Sequence, residues 1–416
     1  MIQGRTGMGY SLHKGALALL TIVSCVTTGW AQTPTPTPGC TDDTWTATNA
    51  TNAPTARSFH TAVWTGGEMI VWGGQDNFGY SNTGSRYNPG TDSWAATTAT
   101  NSPTARAWYT TVWTGSEMIV WGGYGNSGFL NTGGRYNPAT DSWTTTSTTN
   151  RPTARISHTA VWTGSEMLVW GGYDGAGELN TGRRYNPTTN TWTTISTINA
   201  PARRDYHSAV WTGSEMLVWG GSGSGYGGGD LNTGGRYNPA TDTWTPISTI
   251  NAPTGRLQCA AVWTGSEMIV WGGFGGPFGG ASYFNTGGRY NPDTNGWTAT
   301  TTNDAPIARA APRVIWTGGE MILWGGYAYD ASGAREGGYF NIGGRYNPDT
   351  NGWTATTTNN APFARTNHTA VWTGSGMIVW GGGHLSHLNT GGRYCAQPLA
   401  TPTPSPTPPC SREQCR

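Results

Sequence analysis

One tryptophan position recurs along most of this chain: Trp64, Trp113, Trp162, Trp211, Trp263, Trp316 and Trp372, spaced 49, 49, 49, 52, 53 and 56 residues apart. Self-similarity at that period restricts the chain to folds in which one supersecondary unit is stacked many times. The third copy shows the unit. It opens Pro152-Thr-Ala-Arg155-Ile-Ser-His158-Thr-Ala-Val-Trp162 and continues Thr163-Gly-Ser-Glu166-Met-Leu-Val-Trp170-Gly171-Gly172. After a loop comes Asn180-Thr-Gly-Arg-Arg184-Tyr185-Asn-Pro-Thr-Thr-Asn-Thr-Trp192.

Apolar residues fall in short β-branched and aromatic runs bounded by turn residues, and helical periodicity is absent. Each unit predicts four strands. Strand a covers His158 to Trp162, strand b Met167 to Trp170, strand c carries Arg184-Tyr185, and strand d surrounds Trp192. Thr163-Gly164-Ser165 is the a–b turn, and Asn186-Pro187 starts the c–d turn. A content of 64 Gly and 25 Pro suits many tight turns. Four strands repeated seven times make an all-β, seven-bladed β-propeller.

The glycine pair after an apolar strand, followed by Tyr185, six residues and Trp192, resembles the kelch signature, and Arg155 three before His158 resembles the start of a kelch blade. The likeness spans Thr41 to Tyr394 in all seven copies. It implies the kelch propeller fold and leaves function open, because such propellers include scaffolds, receptors and a few enzymes.

The seventh copy stops at Tyr394 without its Asn-Pro turn and strand-d tryptophan, while Asp42-Asp43-Thr44-Trp45 resembles Thr140-Asp141-Ser142-Trp143. The N-terminal strand is therefore expected to complete the last blade and hide its sheet edges. Cys40 and Cys395 would then be neighbours at the seam, and a disulfide between them is expected in an oxidising compartment. Cys259 replaces a strand-a histidine as a buried thiol.

The ends read as processing and spacer segments. Arg5 and Lys14 precede an apolar run from Ala16 to Val26, and residues 1–31 read as a signal peptide cleaved before Gln32. A rival reading takes Ile22-Val23-Ser24-Cys25 as a lipobox, with residues 1–24 removed and a lipid anchor on Cys25. Residues 32–39 form a Thr/Pro linker, 40–395 the propeller, and 396–416 a Thr/Pro-rich tail with Cys410 and Cys415. The product is expected to be extracellular, periplasmic or on the cell surface, with no transmembrane span after processing. Charged residues are 11% of the chain and the formal net charge is +1, which argues against a nucleic-acid partner.

Length varies between copies only in the b–c loop, which has 7 residues in the first three copies and then 10, 11, 14 and 6. In an up-and-down blade this loop shares a face with the segment before strand a. That face is expected to bind ligand, since variable loops on a rigid scaffold carry recognition. Seven arginines open the blades there: Arg57, Arg106, Arg155, Arg204, Arg256, Arg309 and Arg365. Either they hold an acidic ligand with Trp108, Tyr327, Tyr329 and Phe340, or each caps its own blade by bonding carbonyls. The repeated tryptophans read as blade packing. His60, His158, His207 and His368 share one strand-a slot and read as structural, so no metal, cofactor or catalytic residue is assigned. The leading reading is a binding module for a glycan or protein. The alternatives are a sugar-active enzyme, similar to sialic-acid mutarotases or galactose oxidase, with Asp205, Asp230, Asp330 and Glu336 as candidate acid–base groups, and a structural envelope or adhesion protein.

Overall fold

Seven antiparallel four-stranded sheets, each in the order a-b-c-d, follow one another along the chain. The computed structural model describes residues 41–223, 229–276, 282–329 and 338–396. The export and lipobox readings, the linker with Cys40, the tail cysteines, Asp330 and Glu336 lie outside the described residues. Among the described residues there is no helix, and so none long and apolar enough to cross a membrane.

Blade 2 is representative: a is Thr110–Trp113, b Met118–Trp121, c Gly133–Asn137 and d Ser142–Thr145. Trp113 pairs with Met118, Met118 with Tyr136, and Tyr136 with Trp143. Strand b is apolar throughout because both of its faces are covered by neighbouring blades, and all four residues are buried. Strand a starts one residue later than expected, at Thr159 rather than His158 in blade 3. Ser157 just before has φ 53°, which turns the backbone out of the ladder.

Adjacent blades are joined by tryptophan. The strand-b ring of one blade meets the strand-d ring of the next, as in Trp72–Trp143 at 5.2 Å and Trp121–Trp192 at 5.4 Å between centroids. Tyr136 in strand c donates its hydroxyl to Asp141 in the c–d turn at 2.6 Å, and the same oxygen of Asp141 accepts the Thr98 N–H of the preceding blade. The glycine pair is required here: a Cβ on Gly122 would meet the His158 ring at 2.7 Å, and one on Gly123 the Ala107 carbonyl at 2.6 Å.

Ring closure follows the expected exchange. Thr44–Ala47 is the outer strand of the blade formed by Thr369–Trp372, Gly376–Trp380 and Gly391–Cys395, with Trp45 opposite Tyr394 and Thr44 opposite Cys395. Asp43 accepts from Tyr394 and from the Thr357 N–H, as Asp141 does in blade 2. Trp45 packs on Trp324 at 5.3 Å, and Trp380 meets Trp94 at the same distance, so the contact runs unbroken around the ring.

Candidate functional site: the loop face and channel mouth

The two faces differ in chemistry. On the face with the a–b and c–d turns, Glu68, Glu117, Glu166, Glu215, Glu267 and Glu320 each lie within 3.8 Å of a strand-c arginine. Those arginines also bond a proline carbonyl of the next blade, as Arg86 bonds Pro138 at 2.8 Å. Arg345 has no proline to meet at the seam and grips both oxygens of Asp42 at 3.0 Å. This face is uniform and ion-paired.

The opposite face carries the b–c loops and the d-to-a crossovers. Phe78, Ile198, Ile250, Ile307, Phe363 and Leu385, the exposed large apolar side chains among the described residues, all belong to these two kinds of segment. Several loops fold back as two-stranded ribbons, such as Tyr124–Gly125 with Gly128–Phe129.

The seven blade-opening arginines do not reach this surface, which corrects their expected place on a ligand-binding face. Arg57, Arg106, Arg155, Arg204, Arg256, Arg309 and Arg365 are at most 1% exposed. In every blade Nη1 donates to the first carbonyl of the glycine pair at 2.9–3.1 Å. The same nitrogen donates to a carbonyl just before strand c at 2.6–2.8 Å, and Nε donates two residues back. The fork thus closes the base of each b–c loop. Burial pushes the Arg155 guanidinium down to about 10. Phe340 belongs to the same construction, since it is buried and the Arg309 guanidinium lies 4.2 Å above its ring.

Three of the four histidines just before strand a, His60, His158 and His207, are rivets between blades. Nε2 of His60, His158 and His207 meets the hydroxyl of Thr369, Thr110 and Thr159 in the preceding blade at 3.0, 2.8 and 2.8 Å. Each ring stands edge-on to a strand-b tryptophan, as His158 does on Trp121. Burial holds the imidazoles neutral, with His158 lowered to about 3. Tyr109 replaces histidine in blade 2 and bonds Thr61 and the Trp72 carbonyl. Cys259 lines the channel as a thiol, raised by burial, with Sγ 3.4 Å from Ser208 Oγ. Among the described residues no three His, Cys, Asp or Glu side chains group as metal ligands would.

At the mouth of the channel on the loop face lies a cavity of about 850 Å³, within the range of small-molecule sites. Its inner ring is Phe59, Trp108, Ser157, Tyr206, Gln258, Ala311 and Asn367, one from each blade. All seven have φ between 48° and 55°. That left-handed conformation is strained for bulky side chains and turns them inward just before strand a. Tyr206 N–H donates to the Ser157 carbonyl at 3.2 Å and Gln258 N–H to Tyr206 at 3.2 Å, linking the ring blade to blade. Trp108 packs on Phe59 at 4.9 Å and edge-on to Tyr80 at 6.1 Å. Across the cavity Tyr327 and Tyr329 lie 5.2 Å apart, and Tyr327 donates to Gln258 Oε1 at 3.0 Å. The structure therefore brings together Trp108, Tyr327 and Tyr329 of the expected residues and leaves out the arginines and Phe340. The ring itself escaped notice as a set. Its signal in the sequence is a column, two residues after the arginine, that carries seven different residues in otherwise near-copied repeats.

Of the two described candidate acid–base carboxyls, Asp205 has the larger shift. Burial, reinforced by Glu178, pushes it up to about 7. Its place is between loops, where its backbone pairs with Ser222, and it does not line the cavity. Asp230 is also raised by burial and accepts the Gly276 N–H at 2.5 Å.

Residues 108–326 match the family model of the KLHDC2/KLHL20/DRC7 Kelch-repeats domain. This chain belongs to the kelch-repeat family. No curated protein matches it. Within the kelch unit, the arginine, glycine pair, tyrosine and tryptophan each have a packing or hydrogen-bonding role described above. The blade-specific residues gather at the channel mouth. Kelch propellers commonly serve as protein-binding modules.

Proposed function

We propose that the protein is a noncatalytic binding propeller whose ligand docks on the b–c loop face, over the channel mouth. The observation that carries this is the asymmetry of the faces. Blade-specific loops, the inward-turned ring of left-handed residues and the exposed apolar side chains fall on one side, and near-identical ion-paired turns on the other. An exposed apolar rim is what a protein partner would cover. The cavity favours a second occupant, a glycan, since Trp and Tyr rings with nearby amides suit sugar faces and hydroxyls. Export is part of this reading, supported by the N-terminal charge and apolar pattern. Mass analysis of the native protein should give a start at Gln32, and a full-length cytosolic product would refute it.

The test of the face uses glycan and peptide arrays with four proteins: wild type, Trp108→Asn, Phe78→Ser/Leu385→Ser, and the opposite-face control Glu117→Gln. Asparagine is chosen because Asn367 occupies the same left-handed position in blade 7. Binding should fall about tenfold or more in a face variant and persist in the control. Loss confined to Glu117→Gln would place the site on the other face.

A further inference from the structure

Six blades begin strand a with a small residue: Thr61, Thr110, Thr159, Ser208, Ala260 and Thr369. The sixth blade has Arg313 there. The substitution breaks a repeated bond. Where threonine stands, its hydroxyl meets the next blade's histidine, or Tyr109 in the case of Thr61, but beside Arg313 both ring nitrogens of His368 are buried without a partner. A buried donor left unsatisfied is destabilising, and the replacement sets a cation next to the imidazole.

Among the described residues, Arg313 itself is compensated by a single carbonyl. Its Nε donates to the His368 carbonyl at 2.6 Å, and its two Nη groups bond no described residue. The strand-c arginines have glutamates and the blade-opening arginines have carbonyl forks, whereas no ion pair from a described residue reaches Arg313. Burial lowers its pKa, and among the described residues no acid opposes that shift. The groups around it are His368 and, beyond it, His60, both held neutral. Arg313 lines the channel-mouth cavity together with the ring of left-handed residues. A local rule broken at a cost, with one carbonyl bond as its return among the described residues, marks a functional position.

We propose that Arg313 is an anion anchor, and that it takes the carboxylate of an acidic sugar of the uronic-acid type held in the channel mouth. A guanidinium whose two Nη groups bond no described residue matches a carboxylate in a two-point contact. The rest of the lining suits a sugar ring better than a bare anion. Phe59 and Trp108 offer flat apolar faces, and Tyr206, Gln258 and Asn367 offer polar groups at the same level. This inference rests on the channel mouth being part of the binding face.

The experiment is titration calorimetry of the mature protein with galacturonate, glucuronate and a trigalacturonate, against neutral galactose and its trimer. Wild type should bind the acidic probes saturably and prefer them to the neutral ones. Arg313→Thr should weaken the acidic probes by about tenfold or more while raising Tm, because it restores the threonine–histidine bond. That pairing of lost affinity with gained stability separates an anchor from a structural arginine. Equal affinity for acidic and neutral probes, unchanged affinity in Arg313→Thr, or no acidic binding by wild type overturns the inference. If array binding still depends on Trp108 or Phe78, the face assignment survives that failure.

Discussion

Lowering the pH should unfold this ring steeply, and the four buried histidines set the slope. His60, His158, His207 and His368 are 3%, 5%, 6% and 0% exposed, and all have pKa values lowered from 6.5. A base whose folded pKa lies below its unfolded one leaves stability intact above about pH 6.5. The stability is lost as pH falls from there toward the folded value. At pH 5 the unfolded chain therefore holds about four more protons on these side chains than the native ring. Asp205 works against them. Its folded pKa of about 7 lies above the usual 3.8, so between those values the native state holds one proton more. At about 1.4 kcal/mol per proton and pH unit, the balance is a loss of about 4 kcal/mol per pH unit near pH 5. Urea unfolding followed by tryptophan fluorescence at pH 7.5, 6 and 5 measures it. The discriminating variant is His158→Tyr, which copies the solution blade 2 reaches with Tyr109 and should flatten the slope by about a third, one of three net protons. A stability independent of pH between 7.5 and 5, or an unchanged slope in the variant, would refute buried neutral imidazoles.

Two other expectations follow from the ring's construction. Arg155→Met keeps the apolar stem but leaves the Gly171, Thr181 and Thr153 carbonyls without their donor, and should cost about 3–5 kcal/mol in denaturant unfolding; Arg155→Lys should recover only part, since one ammonium cannot reproduce the fork. At the seam, non-reducing peptide mapping should recover Cys40 joined to Cys395, and deleting residues 41–45 should lower stability by about the 3–5 kcal/mol of a lost core tryptophan or more; free alkylation of both thiols in native protein would show that no bridge forms.

How much of this was written in the sequence differs from one residue to the next. The seven-blade ring was legible because packing is repeated. Each junction needs the same Trp–Trp contact, the same Tyr–Asp or Tyr–Asn bond and the same glycine pair, so the requirements appear as fixed columns, and even the exchange of Asp43-Thr44-Trp45 for the missing strand shows as a displaced copy. Burial was not legible for the arginines. An Arg at a blade entrance reads the same whether its fork meets a ligand or the carbonyls of Gly171 and Thr181, and only the three-dimensional path of the b–c loop decides which acceptors lie within 3 Å. The same holds at the channel mouth. Phe59, Trp108, Ser157, Tyr206, Gln258, Ala311 and Asn367 are about 50 residues apart along the chain, and a left-handed φ at each, invisible in residue type, turns them toward one axis. Repetition fixes what every blade must share and is read from one dimension. The site is made of what the blades do not share, and those residues meet only when the ring closes.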